Sequence, residues 1–305
     1  MRSKRVTLNN RKPKKNTGGQ RSGKQRPSEG PKRGSEQRGG QPRGVQRPFN
    51  KRPAKPKTNE PKKADDGSMR LNRFIAHAGI CSRREADTFI TAGSVEVNGK
   101  VVSEMGYKVM PGDSVKFDGR LLTPERIEYV LLNKPKNFLT TTEDDKGRKT
   151  VMDLVSNASK SRLLPVGRLD RNTTGLLLFT NDGEMAAKLT HPRYAVRKIY
   201  HVVLDRALKV SDLQQIEKGI ELEDGPISVD AVSYIAGATK REVGLEIHSG
   251  RNRIVRRIFE HLGYEVSKLD RVMFAGLTKK DLPRGQWRAL DAKEVSFLKM
   301  IGKRS

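Results

Sequence analysis

The sequence has a single cysteine, Cys81, which excludes an intramolecular disulfide and any zinc site built on several cysteines. Its five histidines are scattered without the spacing of metal ligands, so we expect no metal. A lone thiol fits a reducing compartment, and we therefore expect a cytoplasmic protein. No apolar run approaches the ~18 residues of a membrane-spanning helix, and the basic N-terminus lacks the apolar stretch of a secretory signal.

Acidic residues are also scarce, because 35 Asp and Glu stand against 62 Lys and Arg for a net charge of +27. A chain this basic is expected to bind a polyanion, since neutralising phosphates releases condensed counterions. Nucleic acid is the leading interpretation. An anionic membrane surface is the second, and a charge that only keeps the protein in solution is the third.

The first 68 residues have few apolar side chains, and they contain 8 prolines and 9 glycines. They hold 21 Lys and Arg against 5 Asp and Glu, so this tail carries most of the excess charge. Such a segment buries too little apolar surface to offset its conformational entropy, which predicts disorder. We interpret it as a basic arm that contacts RNA, and a solubilising tail without a partner is the alternative.

The pattern after the tail predicts two folded regions and a short linker. Residues 69–118 follow the order helix, helix and small strands, with a capping-box signal at Ser82 and Glu85. Residues 119–128 resemble a linker. Residues 129–305 mix strands and helices without strict alternation, which favours an α+β fold over a doubly wound one.

Within the larger region the pattern predicts five strands and four helices. The strands are 129–133, 175–180, 198–204, 243–248 and 286–290, and the helices follow Asp182, begin at Ser211, span about 252–262 and begin at about Ala292.

Arginines cluster on two predicted helical surfaces. The helix at 252–262 is amphipathic, and its polar face carries Arg253, Arg256 and Arg257 without acidic partners in sequence. This pattern favours phosphate or acid recognition over a solvated charged face. In the first region the exposed positions include Arg70, Arg73, Arg83 and Arg84, which favours RNA recognition by shape and phosphate over surface charge alone.

One carboxylate, Asp170, lies between Arg168 and Arg171 in a loop flanked by two apolar runs. A carboxylate beside cations stays ionised, and an ionised carboxylate on a loop held by strands can act as a nucleophile or base. From spacing alone a structural Asp that caps a turn is the slightly better interpretation. No second carboxylate lies close in sequence, so a paired acid and base of the glycosidase type is not indicated.

Gly167-Arg168-Leu169-Asp170, followed by Thr174-Gly175-Leu176-Leu177-Leu178, resembles the motif around the catalytic aspartate of bacterial ribosomal-RNA pseudouridine synthases that carry an N-terminal S4 domain. Further segments of the chain resemble other motifs of that family in the expected order. They are Leu132-Asn133-Lys134-Pro135, Thr180-Asn181-Asp182-Gly183-Glu184, Leu189-Thr190-His191-Pro192, Lys198-Ile199-Tyr200, Gly250-Arg251-Asn252-Arg253 with Arg256-Arg257, and Leu282, Gly285 and Arg288. Residues 69–118 resemble the S4 RNA-binding module.

The resemblance implies a pseudouridine synthase catalytic domain with a mixed sheet and a central cleft. Asp170 would be the nucleophile, Arg251 would pair with it, and Tyr200 would stack on the flipped uracil. Arg168, Arg253 and Arg257 would hold the surrounding phosphates. The reaction exchanges a carbon–nitrogen bond for a carbon–carbon bond and would need no cofactor.

The expected partner is ribosomal RNA or a pre-ribosomal particle, and we expect a monomer without membrane contact. The Arg251-Asn252-Arg253 sequence resembles the large-subunit group. A non-catalytic RNA-binding or ribosome-assembly protein is the main competing hypothesis, and a transfer-RNA synthase is a third. One departure is Asn137, which stands where the family often has glycine and puts the local backbone shape in doubt.

Overall fold

The computed structural model describes residues 67–302. The predicted disorder of residues 1–68 therefore lies outside the described residues, except for the last two positions.

The N-terminal module of the described chain is built on two short helices and six very short strands. These elements are β1 (Met69–Arg70), α1 (Leu71–His77), α2 (Arg83–Thr91), β2 (Val95–Val97), β3 (Lys100–Val101), β4 (Lys108–Val109), β5 (Val115–Phe117) and β6 (Arg120–Leu121). The predicted capping box is confirmed, because the Ser82 side chain accepts from the Glu85 amide and the Glu85 side chain accepts from the Ser82 amide. Strand β6 falls inside the predicted linker and pairs with β5 in the sheet order β3-β2-β5-β6.

The larger region follows, and up to residue 302 it contains eleven strands, five α-helices and one short 3-10 helix (Pro192–Tyr194). The elements are β7 (Tyr129–Lys134), α3 (Val151–Val155), β8 (Leu164–Pro165), β9 (Thr174–Thr180), α4 (Gly183–Thr190), β10 (Lys198–Leu204), α5 (Val210–Lys218), β11 (Ile220–Leu222), β12 (Gly225–Ile227), β13 (Ala231–Tyr234), β14 (Glu242–Ile247), α6 (Ile254–His261), β15 (Val266–Phe274), β16 (Leu277–Thr278), β17 (Trp287–Ala289) and α7 (Ala292–Met300).

One sheet of nine strands organises this region. Its main order is β13-β14-β10-β15-β9-β7-β17, with β8 beside β9 and β16 beside β15. All pairs are antiparallel except β15 with β9, which run parallel. The mixed sheet with its surrounding helices confirms the predicted α+β class.

Strands β7 and β9 are buried on both faces because their apolar residues continue without polar alternation. Successive side chains point to opposite faces, so Leu132 and Leu177 pack in one hydrophobic cluster while Leu131 and Leu178 pack in another. The sheet therefore lies between two cores. A third cluster, from Leu71 to Leu122, belongs to the N-terminal module.

Two predicted helix starts are wrong. Helix α5 begins after Lys209 without a side-chain cap, so Ser211 lies inside the helix and does not cap it. Helix α6 begins at Ile254, because Arg253 takes a left-handed backbone conformation with φ 47°. The pattern also missed α3, the β11–β12 hairpin, β13 and the long strand β15.

Candidate active site

A cavity of about 630 Å³ opens at the centre of the sheet, and we refer to it as the central cavity. Five of the residues singled out in the sequence line it, although they come from three distant segments of the chain. They are Arg168, Asp170, Tyr200, Arg251 and Arg253. The fold therefore brings the proposed aspartate, tyrosine and rim arginines to one site.

Asp170 lies on the loop between β8 and β9, residues 167–173, which we term the Asp170 loop. The loop closes on itself where the Thr173 amide donates to the Asp170 carbonyl at 3.1 Å. Thr140 fixes its middle, because its hydroxyl donates to the Leu169 carbonyl at 2.8 Å. The carboxylate is thus held on a braced loop, with its side chain 37% exposed toward the cavity.

Lys134, at the end of β7, holds the Asp170 loop from below. Its side chain is fully buried, and its ammonium donates to the carbonyls of Asp170, Arg171 and Thr173 at 2.9–3.2 Å, and to its neighbour Pro135. Burial lowers the pKa of Lys134 to about 8, and the nearby Asp170 charge opposes this shift. Because the acceptors of the Lys134 ammonium are backbone carbonyls, this residue positions the backbone of the Asp170 loop and not the Asp170 carboxylate itself.

Asn137 also contacts the Asp170 loop. Its φ is 71°, and its amide donates to the Arg171 carbonyl at 2.9 Å. Glycine and asparagine are the residues that adopt this left-handed conformation most easily, so the backbone shape that glycine permits is kept. The doubt raised by Asn137 at this position is thereby removed.

The predicted pairing of Arg251 with Asp170 is wrong. The ion-pair partner is Arg256, whose Nε lies 3.8 Å from Asp170 Oδ2, while Arg251 donates to the Gly225 carbonyl and lies 3.6 Å from Asp224. The left-handed Arg253 delays the start of α6, so Arg256 falls in its first turn and Arg251 stays in the preceding loop.

Arg256 places a positive charge beside the Asp170 carboxylate. Its side chain is 11% exposed and is anchored by a hydrogen bond to the Val266 carbonyl at 2.9 Å. Burial and nearby Arg253 lower the pKa of Arg256, and the Asp170 charge raises it, but an arginine remains protonated throughout the neutral range. The carboxylate therefore faces a fixed positive charge.

Tyr200 lies in the middle of β10 with only 9% of its surface exposed, and that surface faces the central cavity. It is flanked across the sheet by Leu245 on β14 and Arg271 on β15. A ring held by two neighbouring strands offers a rigid stacking surface.

The other predicted arginines lie outside the centre of the site. Arg253 pairs with Glu260, and Arg257 holds both oxygens of Asp224 at 2.6 and 2.9 Å. In the N-terminal module Arg73 pairs with Glu184 of α4 and so contacts the larger region. The remaining three, Arg70, Arg83 and Arg84, are exposed.

Sequence reasoning missed the roles of three cations at the site. Lys134 and Arg271 are buried and Lys198 is half-buried. Lys198 and Arg271 line the cavity, whereas Lys134 donates to the Asp170 loop. Lys134 directly follows the predicted buried strand 129–133, and a lysine at the end of such an apolar run is the signal that could have identified it. Arg271 lies on β15, which the pattern did not predict.

Among residues 67–302, no group of three His, Cys, Asp or Glu is arranged to hold a metal ion. In the same part of the chain, every helix is too short or too polar to cross a membrane.

Two family models match the chain. Residues 128–261 match the model described as RNA pseudouridylate synthase, and residues 69–115 match the S4 domain.

Curated relatives cover most of the described residues. The chain is 43% identical over 235 residues to ribosomal large subunit pseudouridine synthase B of Bacillus subtilis, which covers 76% of this chain and 96% of the relative. It is 39% identical over 241 residues to the Yersinia pestis protein of the same name, with 76% of each covered. A crystal structure of a pseudouridylate synthase aligns with a TM-score of 0.53 at 29% identity, covering 75% of this chain and 99% of that one.

Proposed function

The chain belongs to the RNA pseudouridylate synthase family, and we propose that it isomerises a specific uridine of large-subunit ribosomal RNA to pseudouridine. The observation that carries this proposal is the placement of Asp170 on a braced loop, beside Arg256 and in the same cavity lining as Tyr200. The curated relatives named for the large ribosomal subunit support the choice of RNA.

Asp170 is the proposed nucleophile. Arg256 places its positive charge 3.8 Å from the carboxylate, and Lys134 fixes the backbone that carries it. The target uridine must leave its stack to reach a cavity of this depth, and an unpaired loop base costs least to extrude. Tyr200 would then stack on the uracil.

The rim of the cavity is positive where the RNA backbone would pass. Arg168, Arg251 and Arg253 line it with exposed side chains, so we assign them to the phosphates around the flipped nucleotide. This assignment moves Arg251 away from Asp170 and keeps it as a substrate-binding residue.

RNA delivery is assigned to the regions before the catalytic domain. We propose residues 69–118 as an S4 RNA-binding domain, 119–128 as a linker and 129–305 as the catalytic domain, with residues 1–68 as an electrostatic arm. Arg70, Arg83 and Arg84 are exposed and available to phosphates, whereas Arg73 is engaged with Glu184. We further infer a cytoplasmic monomer that acts on ribosomal RNA or a pre-ribosomal particle.

The direct test maps pseudouridines by chemical reactivity in ribosomal and transfer RNA from cells with and without this protein. We expect a single large-subunit position to lose its signal and to regain it when the wild-type chain is restored. Loss of a pseudouridine signal in small-subunit or transfer RNA would identify that RNA as the substrate instead. Unchanged maps would favour the alternative of a non-catalytic RNA-binding protein.

A further inference from the structure

Arg271 is a buried cation in the wall of the central cavity, and only part of its guanidinium is used by the protein. The residue is 3% exposed, and its Nε donates to the Leu176 carbonyl at 2.8 Å. Within residues 67–302 its other two nitrogens have no hydrogen-bond partner, and Nη2 is also shielded from solvent. A buried donor without an acceptor is costly, so an acceptor missing from the free protein is expected.

The sheet fixes where this guanidinium lies. Arg271 on β15 is paired with Tyr200 on one side and with Gly175, just after the Asp170 loop, on the other. Directly paired residues project to the same face, and both Arg271 and Tyr200 line the cavity. A Cβ on Gly175 would lie 2.2 Å from the Arg271 carbonyl oxygen, so the missing side chain brings the two strands together here.

The guanidinium is also held flat. It stacks on the Phe274 ring at 4.6 Å from the centroid, which leaves its edge as the part that can donate. Donation from Nε to β9 fixes the orientation of that edge. The unused N–H groups are therefore preorganised before any ligand enters.

Among residues 67–302, no carboxylate forms an ion pair or hydrogen bond with Arg271. Lys198 also lines this wall, with its ammonium on the carbonyls of Val196 and His248. Burial and the charge of Arg271 lower the pKa of Lys198 to about 8, and distant Asp230 opposes the shift. The two carboxylates that line the cavity already have arginine partners, Asp170 with Arg256 and Asp144 with Arg148. This wall is thus suited to an oxygen acceptor that gains negative charge.

We propose that Arg271 is a further substrate-contacting residue, whose unpaired Nη1 donates to a carbonyl oxygen of the flipped uracil and stabilises the charge that the base gains during the reaction. The inference rests on the proposed function, because it takes uridine isomerisation as the reaction.

The step balances without any further reactant. When the bond between ribose C1′ and uracil N1 breaks, its electron pair stays on the base, and the charge spreads to the two carbonyl oxygens. The Asp170 carboxylate forms the compensating bond to C1′. After the base turns, C5 supplies the electron pair for the new bond to C1′, the Asp170 oxygen leaves, C5 loses its proton, and N1 gains one.

The uracil base is favoured over a phosphate as the ligand of Arg271 because Arg271 is buried in the cavity wall. Arg168, Arg251 and Arg253 are exposed at the rim, where a hydrated phosphodiester would pass, whereas Arg271 is buried beside Tyr200 on the neighbouring strand. A donor at that depth acts on charge that develops inside the cavity, where water is excluded.

The test uses Arg271→Met, which keeps an unbranched apolar stem and removes the donors. Large-subunit RNA transcribed with uridine tritiated at C5 reports the reaction, since isomerisation releases the C5 hydrogen. Under single-turnover conditions with saturating enzyme, we expect tritium release to slow by about 100-fold or more while RNA affinity stays within about threefold. The matched control is Lys268→Met, an exposed cation on the same strand, which should behave as wild type.

Two further readouts separate a chemical role from a structural one. Arg271→Ala leaves a space, and millimolar guanidinium should restore part of its rate if the guanidinium acts on the substrate. A variant whose melting temperature falls and whose rate guanidinium does not restore would assign Arg271 to holding β15 against β9, and the proposal would be wrong.

A saturating rate for Arg271→Met within about threefold of wild type would also overturn the proposal, as would weaker RNA binding at an unchanged rate, which would indicate a phosphate contact. If the wild-type chain releases no tritium from ribosomal or transfer RNA, the proposed function itself fails, and that result is distinct from a defect confined to the variants.

Discussion

Replacing Lys134 by methionine should lower the catalytic rate by loosening the Asp170 loop, while the Asp170 side chain and the RNA-binding arginines stay unchanged in sequence. The ammonium donates to three carbonyls of the Asp170 loop at 2.9–3.2 Å from a fully buried position. Methionine fills a similar volume but leaves those carbonyls without their donor.

The expected size of the effect follows from these contacts. Each hydrogen bond to a charged donor contributes about 1.5–3 kcal/mol, but burial of the ammonium offsets much of the total, so we expect a net loss of about 2–4 kcal/mol. For a folded region of this size that corresponds to a fall in melting temperature of roughly 5–15 °C. A loop displacement of about 1 Å at a reacting group costs on the order of 100-fold in rate.

The assay measures single-turnover pseudouridine formation well below the melting temperature of the variant, together with RNA affinity. Lys136→Met, two residues along and exposed, removes the same charge and serves as the control. The reasoning fails if Lys134→Met keeps a rate within about threefold of the control, or if its loss of rate only follows the unfolded fraction.

Three further predictions follow from the same geometry. Gly175→Ala should cost about 3 kcal/mol or more, because φ is 105° and the new Cβ would meet the Arg271 backbone, whereas Gly183→Ala, which meets nothing within 4 Å, should be nearly neutral in thermal melting. Arg256→Gln should lower the saturating rate about 100-fold and Arg251→Gln should mainly weaken RNA binding; the reverse order would restore Arg251 as the partner of Asp170. Because burial lowers the pKa of both Lys134 and Lys198 to about 8, both are charged below that pH, and the rate should fall as rising pH removes their protons; a flat alkaline profile would contradict these roles.

The sequence predicts the elements whose signals are local. The apolar run of β7 and β9, the Ser82 capping box and the Asp182 cap of α4 depend on neighbouring residues, and each is present in the structure. The α+β class follows from their order along the chain.

Strand β15 could not be predicted in this way, because charged residues interrupt its apolar pattern. Asp270 and Arg271 are tolerated there since Asp270 accepts from Thr174, Lys279 and Arg284, and Arg271 donates to β9. The partners on β9, Thr174 and Leu176, lie 96 and 95 residues away in sequence. Burial alone would raise the pKa of Asp270. The hydrogen bonds from Arg284, Lys279 and Thr174 outweigh this effect and lower that pKa to about 2.

The site residues likewise divide into those that local sequence motifs identify and those that depend on the folded structure. Asp170, Tyr200 and the rim arginines were identified from sequence motifs, and the structure brings them to one cavity. The ion-pair partner of Asp170 was not identified from the sequence. The choice between Arg251 and Arg256 depends on Arg253, whose left-handed backbone sets where α6 begins. A change of backbone conformation at one position is not visible in residue types.

The central claim, that Asp170 is the nucleophile, is tested most directly by Asp170→Asn, which keeps the size of the side chain and removes its charge. Single-turnover pseudouridine formation in large-subunit RNA should be abolished, while RNA affinity stays within about threefold of wild type. Activity near the wild-type level in this variant would contradict the account.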